Sequence, residues 1–371
     1  MKSKKYRKTL ALVTCVMVAM LLLAGCGGGA DTTPEDSSSN GKETITLRIS
    51  GGQPETAPWI TYLSESFCGE VSQKVSENTD YEIEWIKGFS GSMLKLGEAL
   101  EGIEAGICDM GITVLPLEPA KLKLLNMFYY MPFASPDAEI GAQALMALFE
   151  EYPQFTEIYD EYNSMYLGIA FTEPYNMFST YEVKSINDLD GYKVGAVGAN
   201  LTWVEGSGCA TVQSNLMEMF TSLQTGVYQV GIQPSVSTIN LKVHEVAPYI
   251  LDASFGAFPA NALIMNKDSY AKLPSEVQEI IVEAAKNYTE TSPEYVMNTY
   301  DAAIETALSE GATMNQLSVE EQKEWAEMIP NSLGKFIGEL EEMGYPAGEM
   351  ADFYFNELEK LGQEKIRDWE Y

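Results

Sequence analysis

Apolar and polar positions along the chain predict an alternation of strands and helices. Ile45–Ile49 and Glu82–Ile86 have the period-two pattern of half-buried strands, and Trp59–Ser76 between them carries apolar residues at helical spacing. The same order returns as the helix Met93–Glu104 with the strand Asp109–Val114, and as the helix Ala138–Phe149 with the strand Met165–Phe171. Right-handed crossovers of this kind build a mostly parallel sheet with helices on its faces.

A second α/β unit is predicted further along, with a strand at Tyr192–Val197 and a helix at Gln213–Gln224. A long amphipathic helix then begins after Pro274, and we expect Pro293 to interrupt it. The capping box Ser318-Val319-Glu320-Glu321 opens a tail that stays helical in pattern. The fold class is therefore α/β, with two successive sheets.

The length of the chain from about Thr44 onward is enough for two domains. We predict a first α/β domain from 45–170 together with part of 255–300. The second α/β domain is predicted from 171–254 together with part of 300–371.

The N terminus predicts secretion and a lipid anchor. Basic residues precede an uncharged run from Thr9 to Ala24, which is shorter than the ~20 residues that a membrane-spanning helix needs. Leu23-Ala24-Gly25-Cys26 resembles the lipobox of bacterial lipoproteins, which implies a signal peptide at 1–25 and lipidation of Cys26. The alternative is a short anchor that is never cleaved. Either way the rest of the chain faces the outside of the cell membrane, and no later segment is predicted to cross it.

Residues 26–44 are rich in Gly, Ser, Thr and acidic residues and predict a flexible tether. The formal net charge of the whole chain is −31, and removal of the basic leader makes it more negative. A phosphate backbone would be repelled by this charge, so we expect no nucleic acid partner.

Cysteine and histidine are scarce. Beyond Cys26 the chain has Cys68, Cys108 and Cys209, which allow one disulfide at most, and its single histidine is His244. The chain therefore offers few cysteine or histidine ligands for zinc or haem. For Cys68 and Cys108, buried free thiols are the favoured interpretation. The chain has no Gly-x-Ser-x-Gly elbow, no Gly-x-Gly-x-x-Gly and no phosphate loop. We expect no cofactor, no metal and no enzymatic activity.

Four segments in register give the chain a resemblance to a known family. They are Leu96–Gly111, Ser185–Val194, Leu223–Val227 and Lys272–Gln278. Their order resembles the solute-binding proteins of tripartite ATP-independent periplasmic (TRAP) transporters and covers nearly all of the chain beyond the tether. The resemblance implies a two-domain clamp of the periplasmic-binding-protein kind, with a long helix spanning both domains. It also implies that a small extracellular solute is bound by closure of the cleft and delivered to the integral membrane subunits of a TRAP transporter.

Departures from the family pattern bear on the solute. The family's carboxylate-binding arginine falls at Gly195, and a second frequent arginine falls at Tyr175. The acidic residue of the family's Gln-Thr-Gly-Val-x-Asp-Gly run is also absent, because Gln229 stands in its place. Without either arginine a buried carboxylate would lack its usual partner.

The residues expected near the cleft are aromatic or polar and uncharged. As ligand-binding positions we predict Trp59, Phe89, Tyr175, Asn176, Gly195, Asn200, Trp203, Gln233, Phe255 and Phe258. Such a set suits a neutral or cationic solute through stacking, amide hydrogen bonds and cation–π contact. For the two phenylalanines of 255–258, packing in the core is the favoured alternative.

Two other functions fit parts of the pattern. The same clamp would serve an ABC importer or a sensor system, and neighbouring genes for TRAP membrane subunits would separate these cases. A surface hydrolase or lyase would need a metal or a perturbed acid pair in the cleft, against which the single histidine argues.

Overall fold

The computed structural model describes residues 41–135 and 137–371. The predicted signal peptide, Cys26 and most of the tether lie outside the described residues. The strands of the described part are β1 (Glu43–Ser50), β2 (Tyr81–Gly88), β3 (Met110–Val114), β4 (Ser164–Phe171), β5 (Tyr175–Ser179), β6 (Lys193–Ala196), β7 (Ala210–Gln213), β8 (Val230–Pro234), β9 (Tyr249–Asp252), β10 (Pro259–Asn266) and β11 (Thr313–Gln316).

Helices cover the faces of the sheets. They are α1 (Pro58–Tyr62), α2 (Cys68–Asn78), α3 (Ala99–Glu104), α4 (Ala138–Glu151), α5 (Gln154–Glu157), α6 (Leu216–Gln224), α7 (Ser235–Asn240), α8 (Lys267–Ala271), α9 (Ser275–Ser309), α10 (Val319–Met328), α11 (Ser332–Glu342) and α12 (Ala347–Lys360). A π-helical turn, Leu63–Phe67, joins α1 to α2. Shorter 3-10 turns lie at Leu115–Leu117, Leu124–Tyr130, Ile158–Tyr162, Ile186–Leu189, Gly198–Val204 and Val243–Glu245. No helix of the described residues is long and apolar enough to cross a bilayer.

The strands form two mixed sheets, so the α/β class is confirmed but the expected parallel order is only partly correct. Sheet A has the order β2-β1-β3-β10-β4, and sheet B has the order β11-β9-β5-β8-β6-β7. β10 is antiparallel to both of its neighbours in sheet A, and β5 is antiparallel to both of its neighbours in sheet B. Each of these strands follows a crossing of the chain from one sheet to the other. Both β5 and β10 therefore run opposite to the strands beside them.

The two crossings run side by side between the sheets. One is Thr172–Pro174, between β4 and β5, and the other is Ala253–Phe258, between β9 and β10. The Thr172 amide donates to the Phe258 carbonyl (2.9 Å), and the Tyr175 amide donates to the Gly256 carbonyl (3.0 Å). Hydrogen bonds thus join the two crossings into a paired connection.

The long helix α9 is a third link between the sheets. Its first half packs Val277, Ile281 and Ala284 into the core of sheet A, and its second half packs Ala303 and Ala307 into the core of sheet B. The remaining core joins both sheets to α4 and the C-terminal helices. α12 packs against α4 of the first predicted domain. The predicted domain boundaries stay a prediction.

Pro293 does not interrupt α9, which is continuous from Ser275 to Ser309. The proline removes one backbone donor from the helix. Packing holds the helix there, because Gly168 of β4 lies so close that an added Cβ would be 2.4 Å from the Thr289 hydroxyl. The Ile169 amide also donates to that hydroxyl (3.1 Å). Tertiary contact therefore overrides the local preference of the proline.

The predicted helix at Met93–Glu104 is shorter in the structure, since only Ala99–Glu104 is helical. Gly97 has a positive φ (+84°), which breaks the helix before it can extend further toward the N terminus. The capping box at Ser318 is confirmed, because its hydroxyl accepts from the Glu321 amide and the Glu321 carboxylate accepts from the Ser318 amide.

Candidate functional site

A cavity of about 50 Å³ lies between the two sheets. From the side of sheet A it is lined by Gln53, Pro54, Trp59, Leu96, Val114, Pro116, Leu117, Ala260 and Asn261. From the crossing and the side of sheet B it is lined by Thr172, Tyr175, Val197, Asn215, Leu216, Met217, Gln233 and Pro234. An engineered cavity of about 150 Å³ in another protein binds benzene. The cavity between the two sheets is smaller than that one.

The parts of the protein built around sheet A and around sheet B, the two lobes, touch across this cleft. The Asn240 side chain, at the end of α7, donates to the Thr56 carbonyl beside α1 (2.9 Å). A Cβ on Gly198 would lie 2.9 Å from the Pro116 carbonyl oxygen, which belongs to the turn after β3. The described conformation is therefore a closed clamp in which backbone meets backbone at the cleft edge.

Two buried amides meet on the side of sheet A. Gln53 follows the carboxyl end of β1, Asn261 lies in β10 between β3 and β4, and the Gln53 amide nitrogen donates to the Asn261 amide oxygen (2.8 Å). Gln53 Oε1, Asn261 Nδ2 and Trp59 Nε1 are buried and have no hydrogen-bond partner in the part of the chain that the structure describes. Leaving such atoms unpaired costs about 1–3 kcal/mol each, which a bound solute or water would recover.

Tyr175 lines the cavity, and further aromatic rings pack behind it. Tyr175 stands edge-on to Trp203 and to Phe258, with ring centroids at 5.4 and 5.5 Å, and Trp203 stacks on Phe258 at 4.8 Å. The Trp203 indole nitrogen donates to the Tyr129 carbonyl (2.6 Å), which fixes this layer from below. Burial raises the pKa of Tyr175, so its hydroxyl stays neutral.

Among the described residues, no arginine or lysine lines the cavity, and no carboxylate does either. Beyond residue 40 the sequence has two arginines. Arg48 forms an ion pair with Asp109 (2.9 Å), and Arg367 donates to the carbonyls of Ala326 and Ile329 while its guanidinium lies over Trp369. The lining therefore carries no formal charge of either sign.

Gly195, the position of the family's arginine, lies outside the lining because another side chain fills the space beside it. A Cβ at this position would meet the ring of Tyr228 at 2.4 Å. Tyr228 is buried, and its hydroxyl bonds to Ser214 Oγ (3.0 Å) next to the lining residue Asn215. Because position 195 is a glycine, the ring of Tyr228, just before β8, fits beside it, and no space remains for an arginine side chain.

The structure brings Trp59, Tyr175 and Gln233 into the lining. The other predicted ligand positions lie outside it, and as contacts they stay predictions. Phe89 is in the core beside sheet A, and Trp203, Phe255 and Phe258 are in the aromatic core below the cavity. Asn176 bonds to the Tyr300 hydroxyl of α9 (2.9 Å), and Asn200 is fully buried beneath Tyr175 with both amide atoms unpaired.

Sequence reasoning missed Gln53, Asn261, Thr172 and Asn215. Asn261 was detectable as a polar residue inside the apolar run of β10. Gln53 follows the carboxyl end of the first strand, where α/β proteins commonly bind ligands. The contact between these two amides joins residues 208 positions apart, and no local pattern signals it.

A buried carboxyl group lies at the crossing beside the cavity. Glu173 is fully buried, and one of its oxygens accepts from the Ser237 amide of α7 (2.8 Å). Burial raises the pKa of Glu173 to about 7, although hydrogen bonds from the Ser237 and Val236 amides oppose the rise.

The described cysteine and histidine residues lie outside the cavity lining. Cys68, Cys108 and Cys209 are free thiols, and burial raises the pKa of Cys68 to about 12. The buried His244 ring contacts the Glu310 carboxylate through Nε2 at 2.6 Å. Among residues 41–135 and 137–371, no cluster of His, Cys, Asp and Glu is placed to hold a metal ion.

The chain matches known solute-binding proteins in sequence. The sequence model of the family described as bacterial extracellular solute-binding protein, family 7, matches residues 49–339. A solute-binding protein of a Sulfitobacter species is 24% identical over 219 residues, a match that covers 58% of this chain and 66% of that relative. The match thus spans just under two thirds of the relative's length.

Crystal structures of TRAP periplasmic solute-binding proteins share the fold. The protein from Desulfovibrio salexigens, an open complex, has a TM-score of 0.73 at 17% identity, covering 86% of this chain and 97% of that one. The protein from a Sulfitobacter species, with bound β-D-galacturonate, has a TM-score of 0.71 at 19% identity, covering 84% and 100%. The protein from Rhodoferax ferrireducens, with benzoate, has a TM-score of 0.75 at 14% identity, covering 86% and 98%.

Proposed function

The chain belongs to the bacterial extracellular solute-binding proteins of family 7, and we propose that it receives a small neutral solute and delivers it to the membrane subunits of a TRAP transporter. The observation that carries the neutral character of the solute is the uncharged lining of the cleft. A carboxylate buried there would lose its hydration without gaining a cationic partner, at a cost of several kcal/mol.

A cationic solute is less well supported than a neutral one. Trp59 and Tyr175 offer aromatic rings for a cation–π contact, but the described lining residues include no carboxylate to balance a buried positive charge. Glu173, a buried acid next to the lining residue Thr172, accepts a hydrogen bond from the Ser237 amide, and its pKa is raised to about 7. A neutral solute requires no such counter-charge.

Delivery would depend on closure. Solute bound between the sheets adds contacts to both lobes, and these contacts favour the closed clamp over the open one. The edge contacts, Asn240 with Thr56 and Gly198 with Pro116, exist only when the lobes meet. A membrane partner that binds the surface formed by these edge contacts would thereby distinguish the loaded receptor from the empty one. We propose no catalytic activity for this cleft.

Attachment to the membrane is the remaining part of the proposal. Cleavage after residue 25 and lipidation of Cys26 would tether the receptor at the outer face of the cell membrane, close to its transporter. Metabolic labelling with a palmitate analogue tests this, and Cys26→Ala should abolish the label and release the protein.

Matched pairs of solutes test the charge of the ligand by thermal shift of the purified receptor. Suitable pairs are D-galactose with D-galacturonate and benzamide with benzoate, extended to amines and other neutral solutes. A solute at 100 times its dissociation constant stabilises the folded state by about 2.7 kcal/mol, which a melting curve resolves. We expect shifts with neutral members that do not change with salt. Shifts confined to the acids would overturn the proposal.

A further inference from the structure

The unpaired atoms of the cleft specify more than neutrality. Resting on the proposed function, we propose that the site recognises an amide head group, as in a lactam, a carboxamide or a urea, carried on a compact apolar body. The assignment follows from three buried atoms, Gln53 Oε1, Asn261 Nδ2 and Trp59 Nε1.

These atoms offer one acceptor and two donors. An amide has one carbonyl oxygen with two lone pairs and at least one N–H. The carbonyl would accept from Asn261 Nδ2 and Trp59 Nε1, and the N–H would donate to Gln53 Oε1. Each of the three unpaired atoms would thereby gain a partner.

This complementarity does not depend on how the two amides are oriented. In the described arrangement Gln53 donates to Asn261, which leaves an oxygen on Gln53 and a nitrogen on Asn261. Reversing both amides would preserve their mutual hydrogen bond and leave a nitrogen on Gln53 and an oxygen on Asn261. Either way one amide nitrogen and one amide oxygen of this pair of cavity-lining residues are left without a partner.

Other neutral and charged groups fit the site less well. A carboxylate has only acceptors, so one of its oxygens would face Gln53 Oε1 without a proton between them. A polyol would find few partners for its further hydroxyls, because most of the remaining lining is apolar, including Leu96, Val114, Val197 and Leu216. An ester or lactone carries the carbonyl but lacks the N–H for Gln53.

The Gln53 and Asn261 side chains hold each other through their hydrogen bond (2.8 Å), and the backbones of all three residues are fixed as well. The Gln53 carbonyl accepts from the Ser90 amide (2.9 Å), and Asn261 lies in a strand paired on both sides. The Trp59 carbonyl accepts from the Tyr288 hydroxyl of α9 (3.2 Å). Binding would therefore order few side chains, which favours affinity for a compact solute.

The test compares solutes that differ by one group: 2-pyrrolidinone, γ-butyrolactone and pyroglutamate. We expect the lactam to bind about tenfold tighter than the lactone, because the lactone leaves Gln53 Oε1 unpaired. Equal binding of lactam and lactone overturns the amide assignment and leaves the neutral cleft standing. Binding confined to pyroglutamate, which adds a carboxylate to the same ring, overturns both proposals.

Two tryptophan variants separate recognition from packing. Trp59→Phe removes the indole donor and keeps an aromatic ring, and we expect it to weaken lactam binding about tenfold. Trp85→Phe is the matched control, since the Trp85 indole donates to Ser72 Oγ (2.8 Å) outside the cavity, and it should leave lactam affinity unchanged.

A spectroscopic readout completes the design. In protein labelled at the indole nitrogen, 2-pyrrolidinone should shift the N–H signal that Trp59→Phe removes. The signal that Trp85→Phe removes should stay in place. Absence of any lactam effect on the Trp59 signal, or equal weakening of lactam binding by the two variants, overturns the assignment.

Discussion

Gly198 should control how fully the clamp closes. It follows β6 on the side of sheet B, has φ +52°, and lies against the Pro116 carbonyl oxygen from the side of sheet A. In Gly198→Ala the new Cβ would lie 2.9 Å from that oxygen whenever the lobes meet. The open clamp has no such contact, so the substitution should penalise closure selectively.

The expected penalty has two parts that differ in which state they affect. A left-handed backbone costs an alanine about 1–2 kcal/mol, and this cost is present in the open and closed clamps alike. Overlap with a backbone oxygen adds about 1–3 kcal/mol in the closed clamp only. Solute affinity should therefore fall about 5- to 150-fold, because the solute must offset the second part when it closes the cleft.

Gly226→Ala is the matched control, since Gly226 also has a positive φ (+73°) and an added Cβ there meets nothing within 4 Å. Titration calorimetry with the tightest-binding neutral solute should show the loss of affinity for Gly198→Ala alone. Small-angle scattering should show a lower closed fraction at the same solute concentration. Equal affinities of the two variants would refute this reasoning about the cleft edge.

Three further predictions concern buried groups. Because the pKa of Glu173 is raised to about 7 in the folded protein, the folded state keeps a proton that the unfolded state releases above about pH 4.5. The wild type should therefore lose roughly 3 kcal/mol relative to Glu173→Gln as pH rises through this window, measured by urea denaturation at pH 5 and pH 8. Gly195→Ala should destabilise the fold by about 1–3 kcal/mol because its Cβ meets Tyr228, and Tyr228→Ala should remove that penalty in a double-mutant cycle. In native protein at pH 8 a thiol reagent should label the half-buried Cys209 before Cys68, whose pKa burial raises to about 12.

Each of these predictions has a clear contrary result. An unchanged stability difference between pH 5 and pH 8 would mean that Glu173 is ionised in the fold. Additive losses in the cycle would mean that Tyr228 does not occupy the space beside Gly195. Labelling of Cys68 at the rate of an unfolded control would show that its helix opens freely.

The alternation of strands and helices was predictable because hydrophobic periodicity reports local burial. The positions of β1, β2 and β3, the helix opened at Ser318 and the long helix after Pro274 all followed from it. Strand direction in β5 and β10 did not, because it depends on where the chain crosses between sheets. Continuity of α9 through Pro293 likewise depends on Gly168, a contact that no local pattern contains.

The site was less predictable than the fold. Aromatic and polar residues flanking the cleft could be guessed from the family resemblance, and Trp59, Tyr175 and Gln233 do line the cavity. The same reasoning also selected Trp203 and Phe258, whose rings pack in the hydrophobic core outside the cavity lining. The pairing of Gln53 with Asn261 is set by packing in three dimensions and needed a structure to find.

The two paired crossings and the helix α9 are three connections between the lobes, and together they form the hinge of the clamp. Two of them, hydrogen-bonded through Thr172 and Phe258, resist twisting because rotation of one lobe about the long axis would shear those bonds. Bending across the pair strains them far less. Motion of the lobes should therefore follow a single bending coordinate. One distance between a label on each lobe would then report the whole closure, and the free energy of solute binding would drive closure and no other rotation.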